Sequence, residues 1–195
     1  MAWYKRILKP FFDLIGAFLL LILLFPLIIL LLLISAIFYK KPFFAQKRIG
    51  ENERAFTCYK FRSMRVDGDE KSVTAWGGFL RKTSLDELPQ LFNILKGEMS
   101  FIGPRPLLPE YLEHYSPEQA KRHRVKPGIT GLAQVKGRNK LSWEASLAFD
   151  TYYATHCTFT LDISILAQTI PQLLKFSETE ASEGVSREAF NKQKK

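Results

Sequence analysis

The chain is poor in the residues that build disulfide scaffolds and zinc sites. Its 195 residues hold two cysteines, Cys58 and Cys157, and three histidines, His114, His123 and His156, none at metal-ligand spacing. A disulfide-stapled secreted fold is thereby excluded, and the cysteine usage fits a reducing cytoplasm. Neither a P-loop nor a Gly-x-Gly-x-x-Gly run occurs, so a nucleotide must be held by some other device. Acid is scarce at the start. Residues 1–48 carry seven bases (Lys5, Arg6, Lys9, Lys40, Lys41, Lys47 and Arg48) against Asp13 alone, a net of +6 out of +9 for the whole chain. The other 147 residues carry only +3, which argues against a binder of duplex nucleic acid, whose excess would sit on the globular part.

Charge is missing altogether from Leu14 to Tyr39, 26 residues of which eleven are leucine. As a helix this block reaches about 39 Å, against about 30 Å for a hydrocarbon core. It is too long for a signal peptide, and Lys40 and Lys41 follow it in place of a small-residue cleavage site. Basic residues on both flanks favour an anionic membrane surface and give the positive-inside rule no preferred orientation. Pro26, at the midpoint, removes a helix hydrogen bond and kinks or breaks the helix. Two geometries meet these conditions. One is a single kinked transmembrane helix; the other, favoured by the paired basic flanks, is a broken helix that enters and leaves on the cytoplasmic face.

From residue 42 the pattern is that of a mixed, α-rich α/β domain, expected to run to residue 176 behind a membrane segment at 1–41. A polar tail occupies 177–195. Ala55–Met64 alternates as a half-buried strand does. Asp67–Lys71 reads as a charged turn and Gly77-Gly78 as a second break. Ser84–Lys96 predicts a helix with a stripe of Leu85, Leu88, Leu91, Phe92 and Leu95, stopped by Gly97. Gly103–Pro109, with three prolines, cannot be regular. Pro117–Arg124, Ser142–Tyr153 and Asp162–Leu174 read as helices, and Pro127–Asn139 as a glycine-rich loop.

Two places could carry chemistry. Ser84 with Glu87 three residues on matches a capping box, so the bland reading of Asp86-Glu87 is a charged helix start. Adjacent helical carboxylates diverge by about 100°, which rules out a pair straddling a glycosidic bond. They could instead hold magnesium with one carboxylate and attack phosphorus with that group or its neighbour. Gly103-Pro104-Arg105-Pro106 clamps an arginine between two prolines, limiting the entropy lost when a guanidinium meets a phosphate. Lys60, Arg81 and Arg138 add scattered cations. From the residues alone, a membrane-anchored scaffold whose acids merely cap a helix is the alternative.

The order of Phe44-Ala45-Gln46-Lys47-Arg48-Ile49-Gly50, Tyr59-Lys60-Phe61-Arg62-Ser63-Met64, Ser84-Leu85-Asp86-Glu87-Leu88-Pro89-Gln90, Gly97-Glu98-Met99-Ser100, Gly103-Pro104-Arg105-Pro106 and Lys126-Pro127-Gly128-Ile129-Thr130-Gly131 is specific. It closely resembles the bacterial sugar transferase family, the monotopic polyprenol-phosphate phosphoglycosyl transferases, and most of all its minimal members, over about residues 5–175. The resemblance implies transfer of a sugar-1-phosphate from a UDP-sugar to undecaprenyl phosphate, with UMP released, as a first membrane step of glycoconjugate synthesis that downstream glycosyltransferases would extend. It implies a domain seated on the cytoplasmic face of the bacterial inner membrane by a re-entrant hairpin and interfacial helices. Asp86 would be the nucleophile and lie at a magnesium ion, with Glu87 its partner. Lys60, Arg81, Arg105, Arg138 and Asp162 would be the polar residues that surround substrate and phosphate. Related proteins often carry Ser-Pro at the helix break, where this chain has Phe25-Pro26. The sugar stays open, although Ser182-Glu183-Gly184-Val185-Ser186 is similar to tails of members that use di-N-acetylbacillosamine.

Overall fold

The computed structural model describes residues 3–67, 70–137 and 140–174. The expected polar tail at 177–195 and Arg138 lie outside the described residues. The uncharged block folds as α1 (Lys9–Phe38), continuous with a short π-helical start at Tyr4–Leu8. Together, Tyr4–Phe38 make the one helix among the described residues that is long and apolar enough to cross a membrane. The expected break into two helices at Pro26 is not seen: the proline sits inside one helix. A proline costs a helix one hydrogen bond and need not end it when neighbouring side chains hold both halves.

Those neighbours belong to the folded domain. Lys9, Asp13, Ala17, Leu31 and Ser35 are the buried residues of α1, spaced so that they share one helical face. At its start the Lys9 ammonium donates to Asp162 at 2.8 Å. Asp13 accepts the backbone N–H of Phe101 at 3.1 Å, and near the far end Trp76 donates its indole N–H to Ser35 at 2.9 Å. Between these polar contacts Ala17 packs into a cluster with Phe56, Cys58, Leu91, Ile94 and Met99, and Leu31 packs with Phe61 and Leu80. The opposite face, including Phe11, Phe18, Ile22, Phe25, Leu33 and Ile37, is exposed and apolar. One side of α1 thus serves the domain and the other is suited to lipid.

Among the described residues the domain is helix-rich with three two-stranded sheets. Strands β1 (Phe43–Ile49) and β2 (Ala55–Phe61) pair antiparallel, with Phe44 opposite Lys60 and Gln46 opposite Cys58. The free edge of β2 is satisfied by a side chain. Asn93, fully buried, accepts from the Tyr59 N–H and donates to the Thr57 carbonyl, and so fixes helix α3 (Gln90–Leu95) beside the strand. Strands β3 (Met64–Asp67) and β4 (Glu70–Val73) pair antiparallel; of the expected charged turn Asp67–Lys71, Asp67, Glu70 and Lys71 belong to these strands and residues 68–69 lie outside the described residues. Parallel strands β5 (Ser100–Ile102) and β6 (Gly128–Thr130) form the third sheet.

Two sequence expectations fail here for steric reasons. Gly77-Gly78 does not break the chain but lies inside α2 (Ala75–Lys82). A Cβ on Gly77 would sit 1.8 Å from the Ser63 carbonyl oxygen, so glycine is what lets the helix press onto that backbone. The stretch read as a loop, Pro127–Asn139, contains β6 and α5 (Leu132–Lys136). A Cβ on Gly128 would meet the Gly103 nitrogen at 2.1 Å, so its glycine permits close strand pairing.

Helices α4 (Pro117–Ala120), α6 (Trp143–His156) and α7 (Phe159–Leu174) complete the fold. Their core joins Ile102, Val125, Leu132, Tyr153, Ala154, Cys157 and Ile165. Asp162, on the inner face of α7, accepts from Tyr4 and Tyr153 hydroxyls at 2.6 Å each as well as from Lys9. Three donors on one buried carboxylate tie the start of α1 to α7. Removing one ionic partner from such a pair leaves a buried charge uncompensated. Lys9→Met is therefore expected to destabilise the protein by about 3 kcal/mol, measured by chemical unfolding in detergent micelles, although it makes the helix more apolar.

Candidate active site

A cavity of about 580 Å³ is lined by β1, β2, the turn after α2, the Gly103–Pro106 segment, β6, α5, α6 and α7. This is the size of a small-molecule site. The period-two register of the first sheet puts Phe44, Gln46, Arg48, Cys58 and Lys60 on its wall. Six cations line the cavity (Arg48, Lys60, Arg62, Arg81, Arg105 and Arg122) against three carboxylates (Asp86, Glu87 and Asp150). That excess suits an anionic ligand.

The dyad does not start a capped helix. Ser84 adopts a left-handed conformation, φ 55°, and makes no capping hydrogen bond through its side chain. The chain then forms a 3-10 turn at Leu85–Glu87, and α3 begins only after Pro89. Left-handed backbone at a serine is strained, and it turns the chain from α2 so that both acids face the cavity. Glu87, expected to reach back to the helix start, reaches across to β2 instead. It accepts from the Lys60 ammonium at 2.5 Å and from Arg105 at 3.4 Å. Burial alone would raise its pKa, but Lys60 and Arg105 override that and hold the carboxyl well below the usual carboxylate range. Asp86, 8% exposed, sits beside it on the cavity wall.

The remaining sequence candidates divide. Lys60, Arg81 and Arg105 converge on the cavity with the dyad. The Arg81 Nε donates to Ser63 at 2.9 Å, while its buried Nη1 has no partner among the described residues, a donor that an anionic oxygen would satisfy. Asp162 is not among the residues that line the cavity. The register of α7 turns it inward onto Tyr4, Lys9 and Tyr153, where it ties the start of α1 to the domain.

Sequence reasoning missed Arg122 and Asp150. Arg122, 2% exposed, makes a buried ion pair with Asp150 at 2.7 Å and donates to the Arg105 carbonyl at 2.7 Å. It thereby fixes the backbone from which Arg105 reaches Glu87. Nothing in the basic run Lys121–Arg124 marks one arginine as buried. Arg48 was quoted within a motif but given no role. It donates to Gln46 at 2.7 Å, and burial together with the nearby Arg105 lowers its pKa from the ordinary value. Cys58 also lines the cavity, but burial pushes its thiol up and keeps it protonated.

His123 packs against the Tyr115 ring, centroids 5.6 Å apart, with a buried Nε2 that has no partner among the described residues. Burial first, then the Arg122 guanidinium, lower its pKa to about 4, against a hydrogen bond with the Gly50 backbone. The folded state therefore prefers the neutral ring. The stabilisation is complete above the unfolded value of about 6.5 and is lost as pH falls from there through the folded value. Thermal unfolding between pH 7 and pH 4 is expected to show a steeper acid loss for wild type than for His123→Gln, which has no proton to gain.

Residues 4–176 match the family model for bacterial sugar transferases. The chain is 42% identical to the sugar transferase EpsL of Bacillus subtilis, covering 94% of this chain and 96% of that one. It is 37% identical to an undecaprenyl-phosphate galactose phosphotransferase of Salmonella typhimurium, over 88% of this chain and 41% of the relative. It is 40% identical to a UDP-glucose:undecaprenyl-phosphate glucose-1-phosphate transferase of Xanthomonas campestris, over 68% and 31%. The chain thus spans nearly all of the first relative and under half of the other two. With a match across almost the whole described fold, the chain belongs to the bacterial sugar transferase family.

Proposed function

We propose that the chain moves a sugar-1-phosphate from a UDP-sugar to undecaprenyl phosphate through a covalent intermediate on Asp86. The observation that carries this reading is the dyad itself: a buried aspartate on a cation-lined cavity, next to a glutamate that anchors Lys60 and Arg105. An aspartate is ionised at neutral pH without special tuning. Its obstacle is the negative charge of the donor diphosphate, which the surrounding cations offset. A carboxylate oxygen of Asp86 attacks the β-phosphorus of the donor. The bond from that phosphorus to the bridging oxygen breaks, and UMP leaves with that oxygen and its electron pair. An oxygen of undecaprenyl phosphate then attacks the same phosphorus, giving the polyprenyl diphosphosugar and restoring the Asp86 carboxylate. Glu87 keeps Lys60 and Arg105 beside the reacting phosphates.

In this reading magnesium would be held at Asp86, on the cavity wall beside Glu87. Among the described residues no group of three or more His, Cys, Asp or Glu converges. The ion would therefore rest on Asp86 and on the donor's own phosphate oxygens, a sparse set that magnesium accepts. When bound it would neutralise part of the diphosphate charge.

The reading also includes the membrane geometry. Both ends of α1 touch the same folded domain, at Lys9–Asp162 and at Ser35–Trp76, which supports placing both on the cytoplasmic face of the inner membrane in a re-entrant arrangement. Single cysteines placed next to Lys5 and next to Lys47 are then expected to react with an impermeant maleimide from the cytoplasmic side only. Labelling from opposite sides would establish a spanning helix.

With donor alone, wild type is expected to release up to one UMP per enzyme and to gain the mass of a phosphosugar in intact-protein mass spectrometry. Asp86→Asn keeps the shape, and should lose both the burst and the adduct and at least ~10³ in kcat. Arg105→Lys keeps the charge but not the planar fork, and should lower kcat/KM by about tenfold. An active preparation that shows neither burst nor adduct would replace the covalent route with direct transfer.

A further inference from the structure

Part of the cavity lining is apolar, and one of its residues, Leu166, also belongs to an exposed apolar stripe on α7. Along α7, Phe159, Ile163, Leu166 and Ile170 fall at helical spacing on one face and are 43–55% exposed. The neighbouring face is buried: Asp162 binds Lys9, Ile165 is fully enclosed, and the Thr169 hydroxyl meets Thr130 at 2.8 Å on the cavity wall. Leu166 lies between the two faces. It belongs to the exposed stripe and also lines the cavity, together with Phe101, Ile129 and Ala133. Phe101 packs in turn against Gly16 of α1, so this apolar wall is continuous with the membrane helix. The cations and the dyad line the same cavity.

Resting on the function proposed above, we infer that α7 is the port for the acceptor lipid, with Leu166 at its threshold. A prenyl phosphate is the ligand that combines the two chemistries joined there. Its anionic head matches the cation-lined part of the cavity, and its hydrocarbon chain matches the stripe that runs from Leu166 outward. A bilayer lipid covering the stripe would have no reason to need a residue that reaches the cavity, and a soluble donor would have no use for the stripe. The chain slides over Leu166 while its phosphate enters beside the dyad.

The test uses the full chain in nanodiscs, with a UDP-sugar that it turns over and either undecaprenyl phosphate or geranyl phosphate as acceptor. Leu166→Gln is expected to raise KM for undecaprenyl phosphate by about tenfold and KM for the donor by less than about twofold, since only apolar contact with the chain is lost. The preference for the long acceptor over the short one narrows accordingly. Ile163→Gln, on the stripe but away from the cavity, changes the acceptor KM less. Equal effects of the two variants, or equal effects on long and short acceptors, would mean that α7 only seats the protein in lipid and would overturn the port. Independently of any variant, a photoreactive prenyl phosphate on wild type is expected to crosslink around Leu166, and crosslinks confined to the outer face of α1 would also overturn it. A wild type that turns over no UDP-sugar with either acceptor removes the proposed reaction and the port together, whereas normal turnover with an insensitive Leu166 removes the port alone.

Discussion

A polar group in a helix bathed by hydrocarbon must find its partner in protein, because lipid offers none. α1 carries three such buried groups on one face, Lys9, Asp13 and Ser35, and each is met by a different part of the domain: α7, the backbone of β5, and α2. These contacts set the register of the domain along the helix. The elements they fix also hold cavity-lining residues: Leu166 and Thr169 on α7, Phe101 on β5 and Arg81 on α2. The membrane segment is therefore part of the scaffold of the site as well as an anchor.

Within that frame the site is governed by an excess of cations. Such a cavity would repel itself without carboxylates to interleave the charge. Glu87 does this for Lys60 and Arg105, and Asp150 does it for Arg122. Arg122 is held so firmly that its guanidinium can in turn support the Arg105 carbonyl. Asp86 is left on the wall of the cavity among these groups. A preorganised set of charges of this kind stabilises a phosphoryl-transfer transition state without having to rearrange during the reaction.

Where side-chain pattern and local structure coincide, the chain was readable residue by residue. The uncharged helical block, the alternation of β2, the helices α6 and α7 and the stop at Gly97, whose φ is +74°, all appear as expected. The failures share one cause. Gly77 is helical because Ser63 approaches it, and β6 is a strand because Ser100 and Ile102 lie beside it. Glu87 leaves the helix start because Lys60 lies across from it. In each case a residue distant in sequence decides a local question, and a local propensity of less than about 1 kcal/mol is easily overridden.

Sequence by itself determined that this protein has an apolar helix flanked by basic residues, and which acid pair and arginine turn could act on a phosphate. Both follow from hydropathy and from ordered motifs, which are properties of the chain as written. Tertiary structure alone decided that Asp162 serves the membrane helix and that Glu87 is an ion-pair hub instead of a cap. It likewise picked Arg122 out of a basic run and made Leu166 common to the cavity and the exposed stripe. The physical reason is that a charge or an apolar side chain takes its role from what stands within a few ångströms of it. In this fold those neighbours come from residues as far apart as 9 and 162.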